Sequence, residues 1–264
     1  MALCLNNMNN IKEIIDYRDM IWSLVRRELR GKYEKSVLGF LWAFLGPLFQ
    51  ILIYSLVFTV VFHNNMPNYY IYLMAGILPW TFFSDSFGQG TGAIIYNAEM
   101  VKKIYFPREV LVIAEFFAKL INMLLSFIVM AFFLIISGMG FSIQLVLLPV
   151  IIFIELLLCL GFAFFASSVT VYFRDLEYVV QVILMAWIWG TPIMYTLDGV
   201  NSQLKYLLYI NPFTLVMNCY HDILYYHRWT APIELLIPFL EGVLVMIVGY
   251  IVFNKSKKHF AEEL

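Results

Sequence analysis

The stretch Arg26 to Pro47, RRELRGKYEKSVLGFLWAFLGP, changes solvent halfway along its length. Its first part, ending at Lys35, is cationic; its second is apolar and continues without a linker to Phe62. A basic collar fused to an apolar run of lipid length fixes where this segment sits and which way it faces, because Lys and Arg are held back on the cytoplasmic side. Everything that follows is therefore read against a bilayer.

Composition agrees. Of 264 residues, 62% are hydrophobic and only 13% charged, about half the charged share of an ordinary soluble domain. The chain reads as an integral membrane protein, and a net charge of −1 argues against a nucleic-acid partner. Cys4, Cys159 and Cys219 are odd in number and widely spaced, which suggests neither a disulfide framework nor a zinc site. The first ten residues lack a charged n-region, an adequate apolar h-region and a small-residue cleavage site, so no cleaved signal peptide is expected.

About 20 apolar residues are needed to cross roughly 30 Å of hydrocarbon, and six stretches qualify. They are Val37 to Phe62, Tyr70 to Ile95, Val110 to Ser137, Ile143 to Phe173, Val179 to Tyr195 and Leu235 to Phe253. The second is interrupted by Leu78-Pro79-Trp80 and by Gly88, Gly90 and Gly92, so it is expected to be kinked or broken inside the bundle, where freed backbone groups can be satisfied.

Basic residues orient the array. Of 17 Lys and Arg, only Lys205 and Arg228 fall in the opposite loops and Lys119 within a span, which places both termini in the cytoplasm. The long outward connection, residues 196–234, still carries Leu204, Tyr206, Leu207, Leu208, Tyr209 and Ile210. That much apolar surface is expected to fold as short helices dipping back into the membrane. The expected fold is thus all-α and integral to the membrane, with a cytoplasmic amphipathic helix in 1–35, six transmembrane helices in 36–254 and a cytoplasmic tail in 255–264.

Two cytoplasmic segments look built for contact. In the first, Ile11, Ile14, Ile15, Trp22, Val25 and Leu29 recur at helical spacing among charges; such a helix lies along headgroups, with Arg26, Arg27 and Arg30 near anionic lipid. It reads as an anchor or as an anchor that also meets a partner. In the second, residues 98–105, Ala98-Glu99-Met100-Val101-Lys102-Lys103-Ile104-Tyr105 precede Phe106-Pro107-Arg108-Glu109. Mixed charge and exposed apolar groups suit docking into a groove, and a plain turn fits the composition equally.

Several patterns in order along the chain resemble the membrane subunits of ABC-2 type exporters of polysaccharides and polyol phosphates, the group that exports O-antigen, capsule and teichoic acid. The matching residues are Tyr33, Ser36, Leu38, Gly39, Trp42 and Pro47; Phe106-Pro107-Arg108-Glu109; Phe173-Arg174-Asp175-Leu176; Pro192 to Tyr195; and Asn211-Pro212. The resemblance implies a type V exporter fold: a homodimer of this chain, in the cytoplasmic (inner) membrane, with two copies of an ATP-hydrolysing subunit and a lipid-linked glycan passing between the membrane halves. The amphipathic helix, with Arg26 and Arg30, and the 98–105 segment would then be the interface and coupling helices. ATP and Mg would be bound by the partner, since no G-x-x-x-x-G-K-[ST] occurs in this chain. Gly88-Gln89-Gly90-Thr91-Gly92 lacks the lysine and reads as a packing or kink segment.

Aromatic residues make up 18% of the chain, and aromatic rings offer flat apolar faces to the C–H faces of sugars. The resemblance implies a channel lined chiefly by the first and fifth spans, with Trp42, Tyr54, Phe58, Trp187 and Tyr195 as candidates; the same residue types also belong at membrane interfaces. Among intramembrane charges, Glu115 and Lys119 are four apart and suited to neutralise one another. Asp85 and Glu155 could each face a hydrated path or a neighbouring helix. Arg174 and Asp175 at the cytoplasmic edge could pair, meet the ATPase, or receive a lipid pyrophosphate headgroup. No metal ligands cluster. The competing readings are an ABC-2 exporter of drugs or lipids, an ion-coupled transporter, which would need inverted repeats and midplane carboxylates, and a membrane-embedded transferase, for which Asp222 beside His221 is the nearest candidate site. Substituting Gly39 or Trp42 is expected to impair export while leaving membrane insertion intact.

Overall fold

A chain surrounded by lipid has to satisfy its backbone polar groups internally, and helices do so within one segment. A computed structural model describes residues 12–31, 39–63, 65–197 and 200–264, and every element among them is helical. Tyr33, Lys35, Ser36 and Leu38 of the opening pattern lie outside the described residues, as do Cys4 and Ile11.

After helical residues 12–16, eleven α-helices follow in chain order. α1 spans Arg18–Gly31 and α2 Trp42–Leu56, which continues as a wider π-type turn through Val57–Val61. α3 is Tyr69–Gly90, α4 Ala98–Lys103, α5 Glu109–Ile136, α6 Leu148–Tyr172 and α7 Leu176–Trp187. α8 (Ser202–Tyr209), α9 (Pro212–Leu224), α10 (Pro232–Ser256) and α11 (Phe260–Glu263) complete the chain.

Four stretches are long and apolar enough to cross a membrane: Phe44–Val61, Glu109–Ile136, Ile143–Tyr172 and Pro232–Ser256. They coincide with the first, third, fourth and sixth expected spans. The second falls on α3, which is long enough but more polar, and the fifth on α7, which is apolar but short. The break expected at Leu78-Pro79-Trp80 is not there, because α3 runs on across Pro79 and ends at the glycines. Pro79 costs one ladder hydrogen bond, and the burial of α3 on both sides of it, from Ile71 to Trp80, holds the rest.

α3 is the central post, packed by α2, α5, α6, α7 and α9. α6 and α10 approach most closely through glycine. A Cβ at Gly249 would lie 2.1 Å from the Gly161 carbonyl oxygen, and one at Gly161 2.6 Å from the Met246 nitrogen, so the two backbones meet directly as small-residue helix pairs do.

Among its described residues, the 196–234 segment forms the short helices α8 and α9 and the start of α10. Asn211 caps α9 by accepting from the Phe213 amide at 3.0 Å, and its own amide donates to Gly190 O at 3.0 Å and Thr191 Oγ1 at 2.8 Å. Pro212 takes the first helical position, where no N–H is needed. Asn-Pro thus starts α9 and ties it to the end of α7. The helix then buries Phe213, Met217 and Tyr220 among α3 and α6.

Candidate functional site

α2, α3 and α7 face one another across an open groove of about 520 Å³. α2 contributes Gln50 and Tyr54, α3 contributes Trp80, Ser84, Asp85 and Gln89, and α7 contributes Glu177 and Gln181, with Tyr96 from the turn after α3. The spacing explains the shared face: 50 and 54, 80 and 84, 85 and 89, and 177 and 181 are each four residues apart, one above the other on a helix. An unpartnered amide costs several kcal/mol in hydrocarbon, so three glutamines turned to one space mark a polar path. Gln50 donates to the Tyr54 hydroxyl at 3.3 Å. Amides and hydroxyls both donate and accept, which suits a neutral ligand rich in hydroxyls.

A second cavity, about 300 Å³, lies on the other side of Asp85 and is lined by Trp42, Pro47, Leu78, Lys119 and Ser126. Asp85 therefore stands in the wall between the two. Lys119 is only 2% exposed; its ammonium lies 2.8 Å from Glu115 and 3.1 Å from Glu28 of α1. The expected Glu115 pair is present, and Glu28 adds a tie from the amphipathic helix to α5 that sequence spacing could not show. Beside it, Trp22 of α1 lies 6.5 Å from the Phe117 ring, and Leu24 and Val25 are buried.

The other candidates disperse. Tyr54 lines the groove and Trp42 the second cavity. Phe58 packs on Phe62 and Tyr69, while Trp187 stands in an aromatic cluster with Trp80, Phe83, Phe162 and Phe213. The Tyr195 hydroxyl donates to Trp189 O at 3.0 Å, and its own carbonyl accepts from Tyr72 at 2.9 Å. Arg26 and Arg30 are exposed on α1. In the 98–105 segment Val101 is buried, Ala98 and Met100 half-buried, and Glu99, Lys102, Lys103, Ile104 and Tyr105 exposed; Lys103 pairs with Glu99. Arg174 and Asp175 are exposed in the turn before α7 and form no ion pair among the described residues.

Asp222 and His221 do not form a pair. Asp222 accepts from Arg228 at 2.6 Å. His221 lies flat on the Tyr72 ring, centroids 3.9 Å apart, with Nε2 3.1 Å from the Tyr72 carbonyl. Burial of this ring, in a helix outside the spanning segments, pushes its pKa down to about 3, so it serves as a neutral donor. Glu155 is fully buried and accepts from the Tyr220 hydroxyl at 2.6 Å, so it faces a neighbouring helix. The groove residues that sequence reasoning passed over, Gln50, Ser84, Gln89 and Gln181, were visible as polar residues four apart from other polar or aromatic groups within apolar helices.

Such an arrangement, a multi-pass helical membrane protein with a polar groove among its spans and amphipathic helices at one end, defines a permease-like membrane component. The model of the ABC-2 type transporter family matches residues 20–225, and the chain belongs to that family. It is 34% identical over 256 residues to the O-antigen export system permease protein RfbA of Myxococcus xanthus, covering 96% of this chain and 98% of that one. A Klebsiella pneumoniae protein of the same name is 29% identical over 248 residues, 93% of this chain and 95% of the other. The polysialic acid transport protein KpsM of Escherichia coli is similar over a shorter stretch, 34% identical over 89 residues, 31% of this chain and 34% of the other.

Proposed function

We propose that this chain is the membrane subunit of an ATP-driven exporter of lipid-linked polysaccharide, an O-antigen-like polymer in the first instance. The carrying observation is the amide- and hydroxyl-lined groove of α2, α3 and α7, in a chain similar over nearly its whole length to permeases named for O-antigen export. Hydroxyls of a glycan exchange hydrogen bonds among such groups, with the Asp85 and Glu177 carboxylates as further acceptors, and Tyr54 and Trp80 add ring faces. Tyr54 and Trp42 remain the best placed of the proposed pathway aromatics; Phe58, Trp187 and Tyr195 would act from behind or beyond the groove.

The groove is open on one side, and α2 leaves Phe49, Leu52, Ile53 and Leu56 exposed. A second copy of the chain would close it, which supports a homodimer. Two ATPase subunits, holding ATP and Mg, would dock on α1 and the 98–105 segment, where Arg26, Arg30, Lys102 and Tyr105 are exposed. Arg174 and Asp175, exposed just before Glu177 of the groove, would receive a headgroup. The chain would cross the cytoplasmic membrane six times, with α3 and α7 as its second and fifth spans, both termini in the cytoplasm and the 196–234 segment on the outer side.

Replacing Gln50 and Gln181 with Leu tests the groove. Export should fall about ten-fold or more, the loss expected when donors and acceptors that meet the cargo are removed, with the amount of protein in the membrane unchanged. Undiminished export would remove the groove from the path.

A further inference from the structure

One end of the groove is crossed by a side-chain contact: the Tyr96 hydroxyl, from the turn joining α3 to α4, donates to the carboxylate of Glu177 in the first turn of α7. Gly92 makes room for it. A Cβ there would lie 2.2 Å from the Tyr96 ring, so no other residue at 92 leaves the ring in this position. The backbone is fixed in the same turn, with Tyr96 N donating to Gly92 O at 2.9 Å. Tyr96 is 68% exposed; its phenol is protonated at neutral pH in any case, and its bond to Glu177 moves its pKa further up, to about 12.

The contact is mechanically connected to both amphipathic elements. Asn97, the next residue, accepts from the Arg27 guanidinium of α1 at 2.6 Å and donates to Ala93 O at 2.9 Å. Ala98 then begins α4. A displacement of α1 or α4 would reach Tyr96 within one or two residues, while Glu177 belongs to the opposite wall.

We propose that the Tyr96–Glu177 contact, seated on Gly92, is a latch that shuts the α1/α4 end of the groove, and that movement of α1 and α4 releases it. The inference rests on the reading that the groove is the cargo path. One hydrogen bond suits the task, since it holds two walls together at rest and yields to a driven displacement.

The test reads groove accessibility without cargo or nucleotide. Ser84 lines the groove from α3 and is half-buried with the latch made, and Cys159 and Cys219 are buried. A Ser84→Cys chain, assembled with its ATPase subunit in inside-out membrane vesicles, is labelled with a membrane-impermeant methanethiosulfonate, and the chain without that substitution gives the background. Tyr96→Phe should raise the labelling rate about five-fold, the population shift given by one lost hydrogen bond. Glu177→Ala should do the same, the two together should add little, and Glu177→Gln, which keeps an acceptor, should stay near the parent. Should either single variant fail to accumulate, the other carries the test. Equal rates in parent, Tyr96→Phe and Glu177→Ala would overturn the latch. ATP-dependent glycan export is measured in parallel with the complex of the chain that carries no substitution: export with unchanged labelling rejects the latch alone, and faster labelling without any export by that chain rejects the cargo assignment while leaving the contact as the closure of the groove.

Discussion

Lys119 shows what a charge requires at lipid depth. Its ammonium is 2% exposed and meets two carboxylates, Glu115 from its own helix and Glu28 from α1. Removing the cation leaves acids without a partner, a loss of about 3 kcal/mol or more. Lys119→Met should therefore lower the melting temperature of the purified protein markedly. Glu28→Gln, whose side chain is 34% exposed, should cost only about 1 kcal/mol or less. Equal melting temperatures for Lys119→Met and wild type would show that the cluster holds nothing together. His221 makes a different residue-scale case. Its folded pKa of about 3 lies below the ordinary value of about 6.5, so the unfolded chain takes up a proton in that interval and the folded one does not. Stability is then complete above pH 6.5 and declines as pH falls toward 3, by about 2 kcal/mol at pH 5. Thermal unfolding at pH 7.5 and pH 5 should show a larger loss for wild type than for His221→Gln. Burial raises the pKa of Asp222 against the pull of Arg228, which tilts the slope the other way at low pH. The comparison between the two chains cancels that tilt.

Among elements, α6 and α10 pack most closely, and of the four membrane-length stretches that of α2 is the least buried. Gly249 allows its helix to touch the Gly161 carbonyl, where a Cβ would sit 2.1 Å away. Gly249→Val should separate the two helices and sharply reduce the folded protein recovered from membranes. Gly46 of α2 has nothing within 4 Å of an added Cβ, and Gly46→Ala should leave recovery unchanged. A Gly249→Val chain recovered at the wild-type level would contradict the packing account. The contrast follows function as proposed: α6 and α10 form a fixed frame, whereas α2 keeps a free apolar face beside the groove. Gly39, just ahead of α2, adopts φ +50°, which L-residues with a Cβ rarely take up, so the helix enters through a turn that its own sequence demands.

At the scale of the whole molecule, four of the six stretches read from hydropathy are membrane-length apolar helices among the described residues, and the other two fall short for different physical reasons. α3 carries Ser84, Asp85 and Gln89, whose polarity helps build the groove and dilutes its apolar signal, whereas α7 is apolar but only 12 residues long. The Glu115–Lys119 pair could be read from spacing, and Asn211-Pro212 from capping chemistry. Contacts made by topology could not: Glu28 with Lys119 and Tyr72 with His221 join residues 91 and 149 apart in sequence, and the groove needs three helices to be placed before its glutamines converge. The candidate aromatics were read by residue type, and type alone does not separate Tyr54, which lines the groove, from Trp187, which packs behind it. The central claim is that this chain forms the path and a separate ATPase drives it. The direct measurement is movement of lipid-linked glycan across proteoliposomes containing this chain with or without its ATPase subunit. Transport that requires both proteins and hydrolysable ATP is the expected result; glycan crossing with this chain alone, at a rate the ATPase does not change, would contradict it.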